Sequence, residues 1–216
     1  MDKNKSPFAT DISLLAETFG ILPVEDSPEL TTWLQTNETL RADEQQLLDK
    51  LYTRSKNLIN YWNEEELKMR FISHLLLIAD IEVDHRIALF YERPFSAKID
   101  DHTLRVVADC LIATPATFAR PKHPYFFMQE YKRSKGDYKD PEAQMLMAMM
   151  IAQELNQDGH PLYGSYVYGS RWRFCTLLDR NYCQSPEYDA DKYDDLLQIV
   201  FVLRRLKELI LARAVH

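Results

Sequence analysis

A change of hydrophobic period near Ile87 constrains the fold more than any other feature of the sequence. From that residue onward, the segments IALFYERPFSAKI (87–99) and TLRVVADCLIAT (103–114) alternate with a period of two, which is typical of β-strands. YFFMQEYKRS (125–134) predicts a third strand, and PATFARPKHP (115–124), with its three prolines, predicts a loop. The centre of the fold is therefore expected to be a sheet that contains successive antiparallel strands.

The segments on either side of these strands have the period of helices. Residues 1–60 contain three apolar stretches at three-to-four spacing and predict an N-terminal helical cap. Asn63 is a good N-cap and Glu66 completes a capping box, so a helix is expected to begin there. Further helices are predicted over 141–156 and over 191–213, the second of them long and amphipathic.

The order of elements predicts an α/β fold. Between the last two helices, LYGSYVYGSRWRFCTLL (162–178) predicts two short strands joined by a turn at Gly169-Ser170. Residues 61–216 are therefore expected to form the main domain, with a central mixed sheet flanked by helices and a long C-terminal helix.

The composition favours a cytoplasmic globular protein. The chain has 216 residues, of which 46% are hydrophobic, so it can bury a sizeable core. Charges interrupt every apolar run well before the ~20 residues that span a bilayer, and MDKNKSPFATD lacks the apolar core of a signal peptide. Three cysteines without metal-like spacing suit a reducing compartment.

The net charge of −7 argues against a protein that coats nucleic acid along its whole surface. This average hides a basic cluster around the third strand. The basic cluster has two equally good explanations: its residues contact nucleic acid, or they belong to a solvated loop. The candidate residues are Arg120, Lys122, Arg133 and Lys135.

Charged side chains in two neighbouring strands are the candidate site. Asp109 stands among valine, leucine and isoleucine, and either backbone donors satisfy it or it is an oxygen ligand for a cation. Glu130 and Lys132 share one face of the next strand with Met128, and an ion pair at a strand end is the structural alternative. If the two strands pair, Asp109 and Glu130 approach closely enough to share Mg²⁺ or Mn²⁺.

Two helices add polar groups to the same set. Glu64 falls on the apolar stripe of its helix, whereas Glu65 and Glu66 rotate away from it, although first-turn acids also complement the helix dipole. Gln144 begins a stripe that is otherwise built for packing.

Glu64, Asp109, Glu130-Tyr131-Lys132 and Gln144, in this order on these elements, resemble the PD-(D/E)xK nuclease superfamily. The helix NEEELKMRFISHLL and the strand pair YVYGSRWRFCTLL are similar to those of the type I restriction enzyme R-subunit N-terminal domain. Two features depart from the pattern: Ala108 stands where proline is usual, and 21 residues separate Asp109 from Glu130.

The resemblance implies a restriction-endonuclease-like fold and a Mg²⁺-dependent nuclease. Asp109, Glu130 and Glu64 would bind metal, Lys132 would act on the attacking water or the phosphate, and Gln144 would support the site. DNA is the expected substrate, with another nucleic acid as the alternative. The rival function is an inactive nuclease-fold protein that binds nucleic acid or a protein partner.

The apolar stripe of the C-terminal helix admits two explanations. It is either the interface of a homodimer or the face that packs back on the sheet.

Overall fold

The computed structural model of the protein describes residues 7–118, 120–133 and 140–213. Its α-helices are α1 (Ile12–Phe19), α2 (Pro28–Leu34), α3 (Ala42–Ser55), α4 (Glu64–Leu67), α5 (Ser73–Ala79), α6 (Pro141–Asn156) and α7 (Tyr193–Arg213). Its strands are β1 (Leu22–Val24), β2 (Ala88–Ile99), β3 (His102–Ala116), β4 (Arg120–Lys132), β5 (Leu162–Tyr168), β6 (Arg171–Leu178), β7 (Asn181–Gln184) and β8 (Tyr188–Asp189). A π-helical stretch, Lys68–Ile72, joins α4 to α5.

The strands form one mixed sheet in the order β1-β7-β6-β5-β4-β3-β2, and β8 pairs with β6. The pairs β4–β5 and β1–β7 are parallel and the others are antiparallel. The predicted α/β class, with a central mixed sheet, flanking helices and a long C-terminal helix, is thus confirmed.

Two apolar cores lie against the sheet. In β4, Phe127 belongs to the first core and the next residue, Met128, to the second, as expected for a strand that is covered on both faces. The first core contains the buried faces of α2, α3, α5 and α7, so packing against the rest of the chain accounts for the apolar stripe of α7. The second core contains α1 and α6.

Side chains cap the starts of α1 and α2. Asp11 accepts hydrogen bonds from the backbone N–H groups of Ser13 and Leu14, and Ser27 accepts one from Leu30. None of the described helices combines the length and the apolar character needed to cross a membrane.

The loop predicted over 115–124 is wrong. β3 continues to Ala116 and β4 begins at Arg120, with Pro115 paired with Pro121. At this end β3 and β4 form a two-stranded ribbon, since β2 pairs with β3 only as far as Ala113 and β5 meets β4 only from Phe127. A proline is tolerated there because its missing N–H can face an unpaired edge.

The all-helical prediction for residues 1–60 is wrong at Leu22–Val24. This segment is β1, which pairs in parallel with β7 and forms one edge of the sheet. The N-terminal region also supplies Trp33, which is fully buried against Phe127, Tyr163 and Phe174.

Gly164 in β5 allows α6 to lie close to the sheet. A Cβ added at this position would lie 2.4 Å from Sδ of Met145 and 2.7 Å from Sδ of Met149, both of which are buried. The absence of a side chain at Gly164 therefore sets how closely α6 and β5 approach.

We expect Gly164→Ala to lower the free energy of unfolding by about 1–3 kcal/mol, because two thioethers in a filled core must move. In urea denaturation, Gly164→Ala combined with Met145→Ala should cost less than the sum of the single changes, because removing the thioether makes room for the new methyl. Additive costs in this double-mutant cycle would contradict the steric explanation.

Candidate active site

Asp109 and Glu130 lie side by side where β3 and β4 cease to pair through their backbones. The backbone pairing of β3 with β4 ends at Cys110 and Gln129, and Asp109 and Glu130 are the adjacent residues on the two strands. Beyond it, the backbone N–H of Tyr131 donates to Oδ2 of Asp109 at 3.0 Å, and the backbone N–H of Asp109 donates to Oε1 of Glu130 at 3.4 Å. The two carboxylates thus replace ladder carbonyls and hold the strands together, which fixes their positions.

The Lys132 ammonium group lies among three carboxylates. Its Nζ is 3.5 Å from Oδ2 of Asp109, 3.6 Å from Oε2 of Glu64 and 3.8 Å from Oε2 of Glu130, and it donates to the carbonyl oxygen of Tyr131 at 2.8 Å. Lys132, Asp109 and Glu130 are all buried. The ammonium group is therefore the counterion that makes burial of the two strand carboxylates tolerable.

Glu64 reaches the site because of the helix register predicted from the sequence. Oδ1 of Asn63 accepts a hydrogen bond from the N–H of Glu66, and Oε2 of Glu66 accepts one from the N–H of Asn63, so the capping box is formed. This start rotates Glu64 inward, with its side chain 35% exposed, whereas that of Glu65 is 76% exposed.

Burial raises the pKa of the Glu130 carboxyl well above its usual value, and the neighbouring Asp109 raises it further, while Lys132 acts in the opposite direction. Oε2 of Glu130 is buried and has no hydrogen-bond partner.

Gln144, in the second turn of α6, lines a cleft together with Glu64, Asp109 and Lys132. Its Oε1 atom is buried and has no hydrogen-bond partner. The cleft has a volume of about 550 Å³ and is open to solvent. Its lining residues are Ala9, Glu64, Glu92, Pro94, Phe95, Ser96, Arg105, Val106, Val107, Asp109, Lys132, Gln144 and Met147.

Lys68 and Glu92 form a second ion pair beside the site, and sequence reasoning missed both. Nζ of Lys68 lies 2.5 Å from Oε1 of Glu92 and 5.7 Å from the centre of the Tyr131 ring. Burial lowers the pKa of Lys68, but the hydrogen bond to Glu92 and the charges of Asp109, Glu92 and Glu65 outweigh it, so the pKa is raised. Lys68 stands one helical turn after Glu64, so the register that selects Glu64 also selects Lys68.

Glu92 has a backbone conformation that is unusual for a strand. Its φ of 51° lies in the left-handed region, which costs a residue with a side chain about 1 kcal/mol or more. Strain of this kind often marks a functional position, and Glu92 lines the cleft.

The carboxylates suit a hard divalent cation. Within the described residues, no group of three or more His, Cys, Asp or Glu side chains is arranged to hold a metal ion by itself. Mg²⁺ commonly takes only one or two carboxylates, with water and phosphate oxygens as its other ligands. Asp109 and Glu130 provide such a pair, and Oε2 of Glu130, which has no hydrogen-bond partner, is a ligand atom of the required kind.

Two of the predicted nucleic-acid contacts, Arg120 and Lys122, lie far along β4 from this cleft. Lys122 and Lys132 are ten residues apart in β4, which corresponds to about 33 Å of extended strand. Arg120 lies still farther along, at the ribbon end of β4. Arg133 is exposed directly after Lys132, and Lys135 lies outside the described residues.

We expect Glu130→Gln to weaken the pH dependence of stability. Because the pKa of Glu130 is raised by folding, the folded state keeps a proton that the unfolded chain releases, and stability falls as the pH rises from the ordinary glutamate pKa to the raised one. One such proton contributes up to about 1.4 kcal/mol per pH unit. Urea unfolding between about pH 5 and pH 8 without divalent cations measures this slope.

Glu17→Gln, at an exposed position of α1, is the matched control and should keep the wild-type slope. Equal slopes for Glu130→Gln and the wild type would show that Glu130 titrates as an ordinary carboxyl group.

No family model matches the sequence, and no curated protein matches it. The resemblance to the PD-(D/E)xK nucleases therefore remains a prediction based on Glu64, Asp109, Glu130, Lys132 and Gln144.

Proposed function

We propose that this protein is a Mg²⁺- or Mn²⁺-dependent nuclease of the PD-(D/E)xK type that hydrolyses phosphodiester bonds in DNA. The observation that carries the proposal is the position of the Lys132 amine, within 4 Å of carboxylate oxygens of Glu64, Asp109 and Glu130, at a cleft open to solvent. The sequence order and the element types of these residues are those of the superfamily.

Asp109 and Glu130 are the residues that would hold the cation, with Glu64 at the cleft side of the same group. When bound, the cation supplies Lewis-acid stabilisation of the negative charge that develops on the scissile phosphate. The backbone N–H of Tyr131 keeps the Asp109 carboxylate in place, so the ligand is preorganised.

Lys132 is the residue that would contact the reacting phosphate or the attacking water. When a cation is bound, the ammonium group of Lys132 would no longer be the main counterion of the carboxylates, and it could then stabilise the phosphate charge. Its donation to the Tyr131 carbonyl holds the amine near the carboxylates. Gln144 and Glu64 support the site from α6 and α4.

A restriction-endonuclease-like fold is part of the proposal. Support comes from antiparallel β3 and β4, which carry the charged residues, and from β4 and β5, which run parallel and are joined through α6. This β–α–β connection packs α6, and with it Gln144, against β4, the strand that carries Glu130 and Lys132.

A second candidate function is binding of nucleic acid or a protein without cleavage. It is favoured by the position of Lys132, which already neutralises the carboxylates, and by the net charge of −7. The placement of Arg120 and Lys122 far along β4 from the cleft also favours it.

Supercoiled and single-stranded DNA should be cleaved in the presence of Mg²⁺ or Mn²⁺ and should remain intact with EDTA. We expect Lys132→Ala to reduce the cleavage rate by roughly 100-fold or more, because an amine that stabilises developing charge is lost. Asp109→Asn should abolish cleavage, because a cation ligand is lost as well. Gel electrophoresis of the products over time measures the rates.

Lys98→Ala, at an exposed position of β2, is the matched control and should cleave at the wild-type rate. Circular dichroism of each variant separates loss of activity from loss of fold. Folded wild-type protein that binds DNA but leaves both substrates intact under all metal conditions would instead support the second candidate function.

Mg²⁺ should raise the stability of the folded protein independently of any cleavage. At a concentration about 100 times Kd, the free energy of unfolding should rise by about 2.7 kcal/mol. Asp109→Asn should remove this increase, whereas Lys132→Ala should keep it. Thermal unfolding with and without Mg²⁺ tests this, and an equal increase in Asp109→Asn would place the cation elsewhere.

A further inference from the structure

An apolar groove with a basic rim lies between α3 and the segment that runs from the π-helical stretch through α5. Its volume is about 650 Å³, and Leu47, Leu58, Met69 and Leu77 line it with side chains that are between 47% and 72% exposed. Exposed aliphatic residues that cluster in one concave patch are typical of a surface that another molecule covers.

The ionisable residues that line this groove, which we call its rim, are all basic. Lys50, Arg54 and Arg70 line it together with His74, and among the described lining residues none carries a carboxylate. Glu66 contacts Arg70 from outside the lining, at 3.8 Å. The chain has a net charge of −7, but the charge along this groove is positive and therefore favours a negatively charged partner.

We propose that the groove binds an amphipathic helix that carries acidic side chains along the borders of its apolar face. The wall provided by α3 from Leu47 to Arg54 is about 10 Å long, which corresponds to two helical turns of the partner. The floor would take the apolar stripe and the rim would pair with the carboxylates, as in helix-in-groove recognition.

The shape and chemistry of the floor distinguish this partner from two other anionic ones. Most of the exposed floor is aliphatic, so it lacks the row of aromatic side chains on which nucleic-acid bases stack. The surface is concave, whereas a lipid surface is engaged by side chains that project outward. This proposal does not depend on the nuclease activity.

Trp62 provides an intrinsic signal for binding. It lines the groove, with the Arg70 guanidinium 6.0 Å from its ring centre, and is partly exposed. The other two tryptophans of the chain, Trp33 and Trp172, are fully buried. A partner that covers the groove should therefore shift the emission of Trp62 alone to shorter wavelength.

The test uses two synthetic helical peptides of about 15 residues, long enough to form a helix on binding. Both carry leucine at three-to-four spacing, one with glutamate and the other with lysine along the borders of the stripe. We expect saturable binding of the glutamate peptide with a blue shift of the emission. Trp62→Phe should remove the shift but not the binding, which is followed by the anisotropy of a labelled peptide.

Reversing the charge of two groove residues tests whether the basic side chains determine the choice of peptide. Arg54→Glu combined with Arg70→Glu should weaken binding of the glutamate peptide roughly ten-fold, because two surface pairs turn from attraction to repulsion, and should reverse the preference between the peptides. Leu77→Ser should weaken binding as well. Leu22→Ser, an exposed leucine in β1, is the matched control and should leave it unchanged.

Three results would overturn the proposal. The first is equal binding of both peptides, or no binding of the glutamate peptide. The second is sedimentation of the protein with phosphatidylserine-containing vesicles that Leu77→Ser abolishes. The third is a concentration-dependent dimer in analytical ultracentrifugation that Leu77→Ser disrupts, which would make a second copy of this chain the occupant.

Discussion

The Lys132 ammonium group is the charge on which the arrangement of β3 and β4 depends. Two strand carboxylates are buried beside it, and an uncompensated buried charge commonly costs about 3–5 kcal/mol. Asp109 and Glu130 also accept hydrogen bonds from backbone N–H groups across the two strands, so the carboxylates of the candidate site belong to the hydrogen bonding of the sheet. A substitution of either carboxylate therefore changes the candidate site and removes a contact between the strands at the same time.

The helical wall of the cleft is shaped by an irregular turn. After α4 the chain enters a π-helical stretch at Lys68, and such irregularities are frequent at functional sites. Lys68 thereby meets Glu92, whose backbone is strained, and brings a second cation close to Asp109. The cleft thus has one amine among the carboxylates and another at its side, and each amine is paired with carboxylates.

Sequence periodicity and capping patterns predicted the elements whose formation depends on residues close together in the sequence. The strand alternation of β2 and β3 and the capping box at Asn63 predicted the central strands and the inward position of Glu64. They failed where pairing is distant or backbone geometry is unusual. β1 has three residues and its partner β7 lies far along the chain, prolines in an isolated ribbon resemble a loop, and nothing near Glu92 signals its positive φ.

The burial of Trp33 bears on how this fold can be divided. Its ring is surrounded by aromatic residues from three strands, its Nε1 donates to the carbonyl of Val202 in α7 at 2.8 Å, and β1 covers the outer edge of β7. A chain begun after residue 60 would lose the centre of one core and expose a strand edge that invites aggregation. Residues 61–216, which carry the candidate site, are thus not a portable module, and a truncation or fusion has to keep the N-terminal segment attached.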